Sequence, residues 1–139
     1  MSPPRIALVT SVAGRPHDDD LPPLIDAIAG RGADVDVVDW DDPAIDWSGF
    51  DLAVIRSTWD YTTRLAEFLE WTERCGASTC LVNQPAVIAW NTDKRYLDQL
   101  DGVRVVATSF IEPGGRVALP EVGEPLPVPP EAETGRLHD

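Results

Sequence analysis

"RIALVTSV", residues 5–12, runs apolar and β-branched letters together without alternation. A strand exposed on one face would alternate, so this pattern belongs to a strand buried on both faces. Such strands sit in parallel sheets. Parallel neighbours cannot be joined by a tight turn and need a crossover, which predicts helices between this strand and the next ones.

The helices are legible. In "HDDDLPPLIDAIAGRG", residues 17–32, Asp20 is placed to cap a helix whose first turn tolerates Pro22 and Pro23, because N–H groups there have no intrahelical acceptor. Leu21, Leu24, Ile25 and Ile28 form one face, and Gly30 or Gly32 ends it. "ADVDVVDW" is a second strand and "DLAVIR" a third. Residues 63–75 carry Leu65, Phe68, Leu69, Thr72 and Cys75 at helical spacing, with Gly76 just beyond. "STCLVN" is a short fourth strand, "PAVIAW" a brief helical turn, and Asn91 or Thr92 opens a further helix closed by Gly102. "VRVVATSFI" reads as a fifth extended segment.

The reading is therefore an α/β fold: a three-layer, Rossmann-like open parallel sheet of about four strands in the order 2-1-3-4. It occupies residues 1–111. Residues 112–139 hold six prolines and four glycines in 28 residues with few large apolar side chains, so they cannot offset their ordering entropy and are expected to be a disordered tail.

Composition removes several classes of function. The net charge of −13 repels polyanions, which excludes nucleic acid and anionic membrane as partners. The apolar run at the amino terminus is too short to span a bilayer and lacks a signal peptide's charged leader, so the expected location is cytoplasmic. Cys75 and Cys80, spaced C-x4-C, match neither a redox pair nor a zinc pattern and are read as buried thiols. The acids in "HDDD", and Asp39, Asp41 and Asp42, lack the register of an oxygen-ligand cage and are read as a capped helix entry and a solvated turn. The tryptophans Trp40, Trp47, Trp71 and Trp90 are read as packing or interface groups. A phosphoacceptor receiver domain is set aside, because Arg56 stands where that fold needs an aspartate.

In an open parallel sheet, ligands bind beyond the carboxyl ends of the strands. Those ends are Thr10 and Ser11, then Arg56, Ser57, Thr58, Trp59, Asp60 and Tyr61, then Asn83, all candidates for contact with one small substrate. Arg56 offers a planar fork for a carboxylate or phosphate, Ser57 and Thr58 offer short donors, and Trp59 and Tyr61 offer walls. Asp60 binds an amine or holds Arg56. The alternative is structural: Arg56 pairs with Asp60, Thr63 or Asp60 caps the next helix, and Trp59 packs as core. Ten of the eleven basic residues are arginine, and the single lysine is Lys94. Placed with Arg95 in the first turn of a helix it opposes the macrodipole, and either Asp93 or a bound phosphate would offset that.

"DLAVIRSTWDYTTRLAEFLEW", residues 51–71, followed by "LVNQPAVIAWNTDKRYLDQL", residues 81–100, resembles the amino-terminal part of ATP-grasp ligases, in particular the O-ureido-serine cyclo-ligase group of cycloserine biosynthesis. The likeness covers residues 5–113. It implies a ligase that uses ATP and Mg²⁺ to phosphorylate a small carboxylate or amino-acid-like substrate and lets an amine-type nucleophile displace the phosphate. By the same resemblance Lys94 contacts nucleotide phosphates and "RSTWDY" borders the substrate pocket. The family's second phosphate-binding lysine, adenine hinge and magnesium ligands have no counterpart, since the chain there reads "PLPVPPEAETGRLHD". One ammonium does not neutralise a triphosphate, so this chain is expected to be inactive alone and to need a separate catalytic domain or to form a homodimer. The other reading is a non-catalytic Rossmann-like module that binds a small molecule or a protein.

Overall fold

A computed structural model describes residues 2–106, 108, 110, 111 and 114–116. The main body, Met1–Val103, is one compact unit, and Arg104–Asp139 is a second. The tail reading for residues 112–139 lies outside the described residues, except for 114–116.

Four parallel strands form one sheet in the order β2-β1-β3-β4, as the sequence implied: β1 (Arg5–Thr10), β2 (Asp34–Asp39), β3 (Leu52–Ile55) and β4 (Cys80–Val82). Val9 lies beside Val38 and Ile55, and Ala53 lies beside Ala7 and Leu81. Helix α1 (Leu21–Ala29) joins β1 to β2, and α2 (Leu65–Ser78) joins β3 to β4. The two crossovers run in opposite directions along the sheet, so right-handedness puts them on opposite faces. Helix α3 (Pro85–Thr92) follows β4 and packs on α2.

The core lies on the α2 face. Ala7, Val9 and Ala53 form its floor, and Phe68, Trp71 and Cys75 of α2 come down on it. Between β2 and β3 no α-helix forms, only a 3-10 turn at Trp47–Gly49. The crossover loop instead delivers Trp40 and Trp47, which meet Trp71 edge-on at 6.1 and 5.4 Å. Trp71 is 1% exposed. The buried stripe of α2 is Phe68, Trp71, Thr72 and Cys75, whereas Leu65, expected on it, is exposed. The waiting aromatics rotate the helix toward its largest side chain. Thr72 donates its hydroxyl to the Leu69 carbonyl at 2.7 Å, so its burial leaves no unsatisfied group.

Several local expectations are corrected. Gly76 does not end α2 but lies within it, because a β-carbon there would meet Pro85 Cγ at 2.8 Å. It is a close-approach glycine between α2 and α3. Asn91 and Thr92 end α3 rather than opening a helix; Asp93 is extended, and Lys94–Gln99 is a 3-10 turn. Cys80 is exposed, not buried: β4 is an edge strand in which only Leu81 points into the core. No strand forms among the described residues of 103–111. Asp20 takes the cap position of α1 without capping it, and Gly30 follows that helix. Among the described residues no helix is long and apolar enough to cross a membrane.

Candidate functional site

The carboxyl ends of β1 and β3 are knit together by backbone before any side chain reaches outward. Ser11 donates both its N–H and its hydroxyl to the Ser57 carbonyl, each at 3.2 Å. The Ser11 hydroxyl in turn accepts the Gly14 N–H at 3.0 Å. Gly14 approaches so closely that a β-carbon would fall 1.9 Å from the Ser57 oxygen. The two loops therefore form one rigid rim, from which Arg56 projects.

Arg56 is not held by Asp60. Its Nε and Nη2 each donate at 3.0 Å to the two oxygens of Asp18, a bidentate pair, and Nη2 also reaches Asp20 at 3.4 Å. Asp18 is 8% exposed, so the "HDDD" stretch, read as a capped helix entry, contains a buried carboxylate. The Arg56 fork holds that carboxyl below the usual carboxylate range, against the burial that raises it. The Ser57 hydroxyl, buried without a partner of hydrogen-bonding geometry, lies close enough to reinforce the shift. Asp18 in turn raises the pKa of Arg56. The Arg56 side chain stays 34% exposed, so one flank of the fork faces solvent.

Asp60 turns the other way. It accepts the Trp40 indole N–H at 3.1 Å and lies 3.6 Å from Arg64. Arg64 stacks over the Trp40 ring, with its carbon 4.6 Å from the centroid, and pairs with Asp41 and Glu67. Those carboxylates, Glu67 first, raise its pKa. Arg64 precedes α2 without a side-chain cap, and Thr63 donates its hydroxyl back to the Asp60 carbonyl at 2.9 Å. Neither of the expected caps forms.

At the end of β1, Thr10 donates to Asp39 at 3.1 Å and accepts from Arg15 at 3.3 Å, while Arg15 pairs with Asp39 at 2.6 Å. Thr10, Ser11, Ser57 and Thr58 are buried. Tyr61 packs on Phe68 with ring centroids 5.2 Å apart, as a flank of the core. Trp59 is exposed on the rim, and Asn83 follows β4, also exposed. The structure thus ties Ser11 to Ser57, anchors Arg56 on Asp18 and Thr10 on Asp39 and Arg15, buries Thr58 beside Ser57, and sends Asp60 and Tyr61 toward the Trp40 side. Asp18, Gly14, Arg15 and Arg64 were missed by sequence reasoning. For Asp18 a signal existed: the β1 loop borders the β3 end in a 2-1-3 order, and a half-buried arginine there calls for an acid from it.

Lys94 is exposed and shares no hydrogen bond with the described rim residues. Its ammonium donates to the Asn91 carbonyl at 3.4 Å and lies 5.4 Å from the Tyr96 ring centroid. Among the described residues no carboxylate pairs with it, because Asp93 is taken by Arg95. No group of three metal-ligating side chains occurs among the described residues.

Comparison with known proteins agrees with this architecture. Residues 6–83 match the family described as "D-cycloserine synthetase DcsG, N-terminal domain", a span that includes every rim residue and stops short of Lys94. A curated relative, the cycloserine biosynthesis protein DcsG of Streptomyces lavendulae, is 41% identical over 129 residues, covering 91% of this chain and 43% of the relative. The crystal structure of D-cycloserine synthetase DcsG is likewise 41% identical, with a TM-score of 0.65 over 68% of this chain and 32% of that one. The chain thus spans less than half the length of the curated relative it matches. With the sheet order and a family match over residues 6–83, the chain belongs to the family of DcsG amino-terminal domains.

Proposed function

We propose that this chain is the substrate-side domain of an ATP-grasp-type ligase, acting in the cytoplasm on a small carboxylate or amino-acid-like substrate. The single observation that supports this best is the fixed rim at the ends of β1 and β3, inside the span shared with the DcsG family. The reaction is activation of the carboxylate as an acyl phosphate, followed by attack of an amine-type nucleophile.

The chain's own residues bind and orient. Asp18 fixes the plane of the Arg56 guanidinium, so its exposed flank meets a substrate carboxylate at a set angle. Trp59, exposed on the loop that also carries Arg56, offers a wall, and Asn83 offers an amide from the β4 end. Lys94, with no carboxylate partner among the described residues, fits a phosphate group as a point charge. The described residues hold no group of three metal-ligating side chains and so no ready-made magnesium cage, and a nucleotide would need more cations than Lys94 supplies. The metal and most of the nucleotide site are therefore assigned to polypeptide outside the described residues, and the chain alone is expected to be inactive.

The test is ADP release in the presence of ATP, Mg²⁺ and O-ureido-serine. The chain alone should show none, and the chain joined to the remaining part of the Streptomyces lavendulae relative should show turnover that Arg56→Met reduces. Enzyme-like turnover by the chain alone would refute the proposal. A non-catalytic binding module is the second reading, favoured by the fact that Arg56 is already neutralised by Asp18. Calorimetric binding of a small acid without turnover in the joined protein would select it.

A further inference from the structure

The two faces of the sheet are covered unequally. Strand register puts Leu52 beside Ile6 and Cys80, and Val54 beside Leu8 and Val82, all on the face opposite α2. Helix α1 covers that face at the β2 end, where it makes its contacts. Over β3 and β4 no described helix lies on it. Val82 is 43% exposed, Cys80 is exposed, and Leu52 and Val54 are only partly buried. On the other face the same strands bury Ala53 and Leu81 under α2 and α3. Parallel sheets are stable because both faces are sheathed, and among the described residues half of one face lacks its layer.

We propose that this strip of Leu52, Val54, Cys80 and Val82 is the seat of an amphipathic helix from the polypeptide that accompanies this domain in its relatives. Three observations select that occupant over a second copy of the chain. The curated relative carries more than half of its length beyond what this chain matches, so the family has polypeptide to supply the layer. The strip holds no charge, although the whole chain carries −13, and two such chains repel each other on approach. Finally, β4 has only three residues, too few for edge-to-edge pairing of two sheets to add much. A helix matches the need because helices are what cover parallel strands.

The inference rests on the reading of this chain as one domain of a ligase, and its test separates the two. Cys80 is the reporter and buried Cys75 the internal control for folding. Alkylation by iodoacetamide, read by peptide mass spectrometry, should modify Cys80 quickly in the chain alone. It should be roughly tenfold slower once the chain is fused to the remaining part of the Streptomyces lavendulae relative. Val82→Asp in the fusion should restore the fast rate. Should the fusion not fold, the two parts co-expressed as separate chains should co-purify, and Val82→Asp should abolish that. Equal Cys80 rates in chain and fusion, or no co-purification, would overturn the proposal. So would protection of Cys80 in the chain alone with a dimer in sedimentation, which would make a second copy the occupant. ADP release with Cys80 still reactive would remove the seat and leave the ligase reading. A protected Cys80 without ADP release would do the reverse.

Discussion

Replacing Asp18 by asparagine tests the rim most directly. The substitution keeps the shape and removes the charge that two Arg56 N–H groups address at 3.0 Å. Breaking a fully buried ion pair by removing one partner costs about 3–5 kcal/mol, and an exposed pair contributes about 0–1 kcal/mol. Here the acid is buried, the guanidinium is 34% exposed, and Asp20 remains 3.4 Å away as a substitute. The expected loss is therefore intermediate, about 2 kcal/mol. For a unit of this size that lowers Tm by roughly 10 °C. Urea unfolding followed by tryptophan fluorescence measures it. The pH dependence carries a second signature. Asp18 has its carboxyl pKa lowered by folding, so its contribution is fully present above the ordinary carboxylate value of 3.8 and disappears as pH falls below that through the folded value. Asp18→Asn should lose stability at neutral pH and show a shallower acid decline than the parent. Arg56→Met should be destabilising too, and the double variant should fall short of the sum by about 2 kcal/mol. An Asp18→Asn protein as stable as the parent at pH 7, with the same acid slope, would refute the claim that this pair fixes the rim.

Three further outcomes are expected. Gly14→Ala places a β-carbon against the Ser57 carbonyl, which is backbone and cannot swing away; it should cost about 2–4 kcal/mol in urea unfolding, and a change under about 0.5 kcal/mol would contradict the close packing of the two loops. Gly76→Ala would gain about 1 kcal/mol in a free helix, yet should destabilise here because Pro85 occupies the space, and Gly76→Ala with Pro85→Ala should recover the helical gain. Cys80 should react with thiol reagents at neutral pH, whereas Cys75, whose thiol burial pushes up to about 12, should react only on unfolding; comparable rates in the native protein would mean that α2 does not seal the core.

The sheet was readable because its signal is local and redundant. The continuous apolar run of β1 dictates burial on both faces, burial dictates parallel pairing, and right-handed crossovers leave few strand orders. The errors fall where one residue's role depends on a neighbour distant in sequence. Gly76 looks like a helix stop until Pro85 is placed against it. Cys80 looks like a core thiol until β4 is known to be the edge, since its place in the sheet order, not its own letters, decides which side chains are covered. Leu65 leaves the buried stripe and Trp71, read as a packing group, takes its centre because Trp40 and Trp47 arrive from the crossover loop, and helical periodicity alone cannot rank two apolar faces.

The rim shows the same limit at the level of function. Arginine, serine and threonine at the end of a parallel strand announce a polar rim, and that rim exists. Their partners are set by topology, and topology gives Arg56 to Asp18 across 38 residues while Asp60, four positions away, goes to Trp40 and Arg64. An unpaired arginine would attract any anion. A guanidinium whose plane is fixed by a buried acid keeps one flank at one angle, and its net charge is nearly cancelled, so only a ligand that fits the remaining donors gains much by binding. For a chain of charge −13 this arrangement favours selection of a ligand by geometry over capture by charge.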